Sequence, residues 1–317
     1  MQTIELLNIP NYFSGYYLKG FNDTAQVEYR PNLEFNKFNG LPLIVLKIGK
    51  KLLVIDNRDP VGINQELYNL TDLYFVTNKL RGVAAYNQNK VRPLFPHYPI
   101  NNWKQYLRIF GSAWFKVNGF KNALREIYIH TRRPSYKNYV AKPVFRPYVF
   151  FSGSIWKKEL IANEQRAVFI KACKNHPKIE FEGGLTPRGD GDNLDLDEVL
   201  GPKRYSIKEF NKKSSRSLIN LNNPAVLGAI SWRFAEYLNM GTFILSLPWK
   251  TELPVFPIHG KEIHMLEDIN EIDRFISFLL KNPSYHKLIS HGGKAYFNNY
   301  CQPKVQAELI LGEIINN

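Results

Sequence analysis

The chain is poor in the residues that build covalent or metal staples. Its 317 residues include two cysteines, Cys173 and Cys301, which can form no disulfide framework and lack metal-ligand spacing. Seven histidines are scattered, none with zinc-ligand partners at helical spacing. Apolar runs such as Leu41–Leu46 are strand-sized, far short of the roughly 18 residues a membrane span needs. The opening MQTIELLNIPNYF carries an acid where a secretory signal has bases, and no apolar core follows it. The patterns GxxxxGK[ST], GxGxxG and GxSxG are also missing. That removes the main support for a phosphate-loop NTPase, a dinucleotide-fingerprint enzyme or a nucleophile-elbow hydrolase. Together these absences predict a cytoplasmic protein without a structural metal or bound cofactor.

Acidic residues are scarce in one half only. Net charge is +14, yet residues 1–150 hold 21 Lys and Arg against 9 Asp and Glu, while 151–317 hold 21 against 19. Between 101 and 150 there are ten bases and a single acid, Glu126. Such asymmetry predicts two domains, of which the first faces something anionic: nucleic acid, a membrane surface or a phosphate-bearing substrate. In this basic stretch lie Trp103, Tyr106, Phe110, Trp114, Phe115 and Phe120. They fit either ordinary helices with core aromatics or an interfacial surface in peripheral contact with anionic membrane. An RNA-recognition strand signature is missing, which weighs against nucleic acid.

What is present is a core-forming composition, 44% apolar and 14% aromatic, patterned as α/β. Leu41–Ile48, Lys51–Ile55 and Leu73–Thr77 read as strands, the first two as a hairpin around Gly49. After Lys142–Pro147 the order sharpens. Strand Tyr148–Phe151, a Ser152-Gly153-Ser154 turn, a helix over 156–175, strand Ile179–Phe181 and a Gly183–Gly184 turn follow one another. A helix at Ser206–Ser215, strand Ser217–Leu221, helix Ser231–Met240 stopped by Gly241, and strand Thr242–Leu247 come next. Three helices over 269–281, 284–299 and 303–315 close the chain. This alternation predicts a basic first domain, 1–145, and a parallel-sheet second domain, 146–317.

In such a sheet, ligands bind beyond the carboxyl ends of the strands, where helix N-termini suit phosphate. The stretch LINLNNPAVLGAISWRFAEYLNMGTFILSL is the informative one. With Ile230, Phe234 and Leu238 on the buried stripe, Arg233 and Glu236 fall together on the opposite face. A guanidinium there can fork onto diphosphate oxygens and a carboxylate can accept from ribose or sugar hydroxyls. The bland alternative is a solvated ion pair contributing a few tenths of a kcal/mol.

The segment SWRFAEYLNMGTFIL resembles the donor-binding motif of GT-B glycosyltransferases, with exostosin-like and group 1 enzymes nearest in form. Ser231, Arg233, Glu236, Leu238 and Gly241 match it; Tyr237 replaces an Ala, and Leu245 falls where the motif has a Pro. The run YSIKEFNKKSSRSLINLN and the closing helices are similar to the same domain class, so the likeness covers about residues 150–300. It implies a GT-B-like α/β fold, two Rossmann-like domains facing each other across a cleft, and metal-independent transfer from a nucleotide-sugar co-substrate. It implies further that Glu236 holds ribose or sugar hydroxyls and Arg233 neutralises the leaving diphosphate. Ser154, Arg188 and Arg216 are further donor-binding candidates. The acceptor, a glycan or lipid-linked saccharide of cell-surface polysaccharide assembly, would lie on the first domain. An inverting enzyme needs a base there, and Asp56 and Asp59 in VIDNRDP are the catalytic candidates, with Asp72 behind them. The acidic run Gly189–Glu198 lacks the glycine and glutamate of a calcium loop and reads as a flexible surface loop. A nucleotide-sugar epimerase or hydrolase and a non-enzymatic nucleic-acid or glycan-binding module remain the rival expectations.

Overall fold

The computed structural model describes residues 3–316, which fold as two compact α/β units. The first comprises the chain through Lys137 together with Thr251–Val255 and the segment from Asn299 onward; the second is Asn138–Lys250 with Phe256–Asn298.

The first unit begins with β1 (Thr3–Leu6), α1 (Gly15–Thr24), β2 (Gln26–Tyr29), β3 (Leu43–Ile48) and β4 (Lys51–Asp56). It continues with α2 (Gln65–Leu70), β5 (Leu73–Val76), β6 (Val91–Pro93), α3 (Trp103–Phe110), α4 (Ser112–Asn118) and α5 (Phe120–Thr131). Its six strands form one sheet in the order β2-β1-β3-β4-β5-β6, in which β3 alone runs antiparallel to its neighbours. The near-continuous apolar run of β3 is buried because both faces of the sheet are covered. Gly49 (φ +59°) turns β3 into β4, as the alternation predicts.

The basic aromatic stretch folds as three helices, broken at Gly111 (φ +52°) and Gly119 (φ +74°). Tyr106, Phe110 and Trp114 point into the core with Ile4, Leu46 and Phe75, so for them the ordinary-helix reading holds.

In the second unit come β7 (Tyr148–Ser154), α6 (Leu160–Asn175), β8 (Glu180–Thr186), α7 (Ile207–Ser214), β9 (Asn220–Asn222) and α8 (Trp232–Met240). After them follow β10 (Ile244–Ser246), β11 (His264–Met265), α9 (Ile272–Lys281) and α10 (Pro283–Tyr296). Strands β7 and β8 pair in parallel, as do β9, β10 and β11. The Leu218 N–H, just before β9, donates to the Tyr148 carbonyl at 2.7 Å and the Phe150 N–H to Ser217 Oγ at 2.9 Å. These bonds set the start of β9 beside β7, so the β7–β8 pair and the β9–β10–β11 sheet adjoin in the order β8-β7-β9-β10-β11. A doubly wound arrangement of this order reverses direction between β7 and β9.

Two local readings are corrected. Ser152-Gly153-Ser154 is the end of β7 rather than a turn, and Gly183–Gly184 lies inside β8 rather than closing it. Both glycines have positive φ (+112° and +137°). A Cβ on Gly183 would stand 1.9 Å from the Phe151 carbonyl oxygen, and one on Gly184 2.5 Å from the Gly201 nitrogen. Glycine is required at both positions by backbone crowding.

The last helix, α11 (Pro303–Asn316), packs on α1 in the first unit rather than closing the second. Close approach is allowed by Gly20, whose hypothetical Cβ would meet the Pro303 carbonyl at 2.0 Å. Ala307 and Ile310 enter the first unit's core, and Gln306 Nε2 donates to the Pro96 and Cys301 carbonyls at 3.2 and 3.1 Å.

Candidate functional site

The carboxyl ends of β7 and β9 flank the point where the second unit's strand order reverses, and two arginines converge there. Arg166 comes from α6, on the helix face that also buries Ala162, Phe169, Ile170 and Cys173. It is 5% exposed. Its Nη1 donates to the Ser154 carbonyl at 2.7 Å, its Nε to Asn223 Oδ1 at 3.1 Å, and its guanidinium lies 3.8 Å from the Trp156 ring centroid. Arg233, in the first turn of α8, donates through Nη1 to the Ser152 carbonyl and sits 4.1 Å from the centre of the Phe210 ring.

Both guanidiniums are thus oriented by carbonyl, amide and aromatic groups, with the Glu159 carboxylate near enough to Arg166 to offset part of its charge. Burial, and then the neighbouring charge of Arg233, pull Arg166 down to about 9. A pair of cations held this way is poised to gain from an anion, because the anion relieves both desolvation and mutual repulsion.

The start of α8 is well defined. Ser231 caps it, its Oγ accepting from the Arg233 N–H at 3.3 Å, and Gly241 ends it in the left-handed conformation (φ +65°, ψ +43°). Phe234 and Leu238 are buried and Arg233 and Glu236 half-buried, as the spacing predicts. Burial raises the Tyr237 hydroxyl, with Arg233 opposing the rise and Glu236 adding to it.

The other donor-side candidates divide. Ser154 ends β7 with its side chain exposed, directly at the carboxyl edge. Arg188 follows β8 at the same edge, but its guanidinium is forked onto Asp190 at 2.9 and 2.7 Å. Lys157 pairs with Asp190 and Asp192 at 3.0 and 3.4 Å, so the acidic run is pinned to two bases and Asp190 is held well below the carboxylate range. Arg216 is exposed between α7 and β9, at the amino end of that strand and away from the carboxyl edge. That placement removes it from the arginine pair.

In the first unit, Asp56 ends β4 almost fully buried. It accepts from Arg58 Nη2 at 2.6 Å, from Arg58 Nε at 2.9 and 3.1 Å, from the Arg58 N–H at 3.0 Å and from the Tyr74 hydroxyl at 2.6 Å. Burial and this carboxylate raise the Tyr74 hydroxyl far above its ordinary range. Asp59, three residues on, is exposed, and Asp72 pairs with Lys51 at 3.8 Å at the amino end of β5. Among the described residues, no group of three His, Cys, Asp or Glu side chains is placed to hold a metal ion. No helix among them is long and apolar enough to cross a membrane.

Arg166 escaped the sequence reading. Its signal is an arginine at a core-facing position, four residues after Ala162 and four before Ile170.

No protein-family model matches this chain, and no curated protein does. Its likenesses are to solved structures of glycosyltransferases and of a sugar-nucleotide epimerase. One is the UDP-GlcNAc 2-epimerase from Neisseria meningitidis bound to UDP-GlcNAc, at 10% identity and a TM-score of 0.46, covering 99% of this chain and 100% of that one. Another is a glycosyltransferase from Rickettsia africae, also at 10% and 0.46, covering 96% of this chain and 82% of that one. A third is HepE from Anabaena in complex with UDP, at 11% and 0.44, covering 80% of this chain and 66% of that one.

Proposed function

We propose that this chain is a glycosyltransferase that moves a sugar from a nucleotide-sugar donor to a glycan or lipid-linked saccharide acceptor in cell-surface polysaccharide assembly. The observation that carries this reading is the Arg166–Arg233 pair, held by neutral acceptors at the strand-order reversal of the second unit. Departure of a nucleoside diphosphate develops negative charge, and preorganised guanidiniums stabilise it without reorganising during the reaction. In this assignment Arg166 and Arg233 take the diphosphate and Glu236 accepts from ribose or sugar hydroxyls. The exposed Ser154 hydroxyl donates to a phosphate oxygen. The nucleotide-sugar serves as co-substrate, with no further cofactor and no metal. Because the Asp56 carboxylate is committed to Arg58 and Tyr74, Asp59 is assigned as the base that deprotonates the acceptor.

The test is a thermal-shift series with UDP, GDP, CMP, ADP and dTDP on wild type, Arg233→Lys and Glu236→Ala. At about 100 times its dissociation constant, the cognate nucleotide adds roughly 2.7 kcal/mol of stability. Arg233→Lys keeps the charge but loses the fork, so affinity falls by about tenfold or more. Stabilisation by none of the five nucleotides overturns the donor site. Turnover of donor without any acceptor moves the reading to an epimerase or hydrolase on the same site.

A further inference from the structure

The three helices that follow Asn101 sort their apolar side chains by depth. Tyr106, Phe110 and Trp114 of α3 and α4 are within the core. On α5, Ala123 and Ile127 turn inward while Phe120, Leu124 and Tyr128 are 67%, 47% and 61% exposed. Four-residue spacing places them on one stripe along the helix. Lys121, Arg125 and Arg132 are exposed on the same helix and its C-cap, and the 100° advance per residue sets them along one flank of that stripe. The only acid of this region, Glu126, faces the other way, its carboxylate accepting from the Tyr12 N–H at 2.9 Å.

We propose that this face of α5 seats on an anionic lipid bilayer. A stripe of Phe, Leu and Tyr in water is unfavourable until something apolar covers it, whereas the three bases beside it select a negatively charged cover. A bilayer with anionic headgroups supplies both in the right geometry. The helix lies in the interface plane with its rings at the headgroup–acyl boundary, and the bases meet the headgroups within a Debye length. Nucleic acid matches the bases but leaves Phe120 and Leu124 in water. This inference goes beyond the donor-site reading and stands without it.

Vesicle flotation of the full chain tests it, with phosphatidylcholine alone and with phosphatidylcholine plus phosphatidylglycerol. Wild type floats with the phosphatidylglycerol vesicles, less so as salt is raised, and not with phosphatidylcholine alone. Lys121→Glu with Arg125→Glu weakens partitioning at least about tenfold, as loss of roughly 1 kcal/mol per base requires. Phe120→Ser with Leu124→Ser weakens it by about tenfold as well, with an unchanged thermal midpoint because both side chains are exposed. Should that midpoint drop, Tyr128→Ser alone on the same stripe gives the reading. Wild type that fails to float with phosphatidylglycerol vesicles overturns the proposal, whether or not it shifts an RNA homopolymer in a gel. So does wild-type partitioning by the charge variant or by the folded stripe variant.

Discussion

At the residue scale, what distinguishes the charged groups of this protein is whether their partners cancel them. Asp56 and Arg58 cancel: the carboxylate takes two side-chain donors from Arg58 and one from Tyr74, and its exit from β4 is locked. Arg188 and Asp190 cancel as well. Arg166 and Arg233 donate instead to carbonyls and an amide and lie against aromatic faces, with Glu159 offsetting only part of the charge of Arg166. The difference is measurable. Asp56→Asn leaves Arg58 without its counter-charge and lowers stability by about 3 kcal/mol in urea denaturation. A variant with wild-type stability but no transfer activity would instead return Asp56 to the role of base. The charge pattern also explains why Arg233 stands out in the sequence and Arg166 does not. Arg233 sits among residues with a recognisable spacing to Ser231, Glu236 and Gly241, whereas Arg166 occupies a stripe position that apolar periodicity assigns to the core.

Among the elements, local patterns were readable wherever one residue decides the geometry. The apolar run of β3, the Gly49 turn and the Gly241 helix stop each follow from a single steric or burial rule. Gly183 and Gly184 defeat that kind of reading. Paired glycines mark a turn when chain reversal is the reason for them; in β8 the reason is a neighbouring backbone, invisible until the strands are placed side by side. The aromatics of α3 to α5 pose the same problem, since composition cannot tell which ring faces the core. Crowding at β8 makes a sharp expectation. Gly183→Ala costs more than about 4 kcal/mol and prevents accumulation of folded protein, because neither β7 nor the new methyl group can move aside. Gly189→Ala, in open space, melts as wild type and serves as the control. A Gly183→Ala protein with a wild-type melting curve would contradict the register of β8 against β7, in which Gly183 stands opposite Phe151.

For the molecule as a whole, the two-unit α/β plan is legible from charge asymmetry and strand–helix alternation. The return of the chain to its starting unit is not, because α11 reads locally as one more amphipathic helix. Removing 303–317 exposes the core surface that Ala307 and Ile310 cover and strips Gly20 of its packing partner. Hydrogen exchange on that truncation should therefore show lost protection in β1, β3 and β4 while β7, β9 and β10 keep theirs. Equal protection in both sets would show that α11 is dispensable to the first unit. Synthesis runs from the N-terminus at about 5–20 residues per second, and units fold as they become complete. The second unit's sequence is synthesised before α11. The first unit, although its strands emerge earliest, waits through about half of translation with an uncovered core. For that interval it is a client for chaperones and a risk for mispairing, and the half of the protein that is born first is finished last.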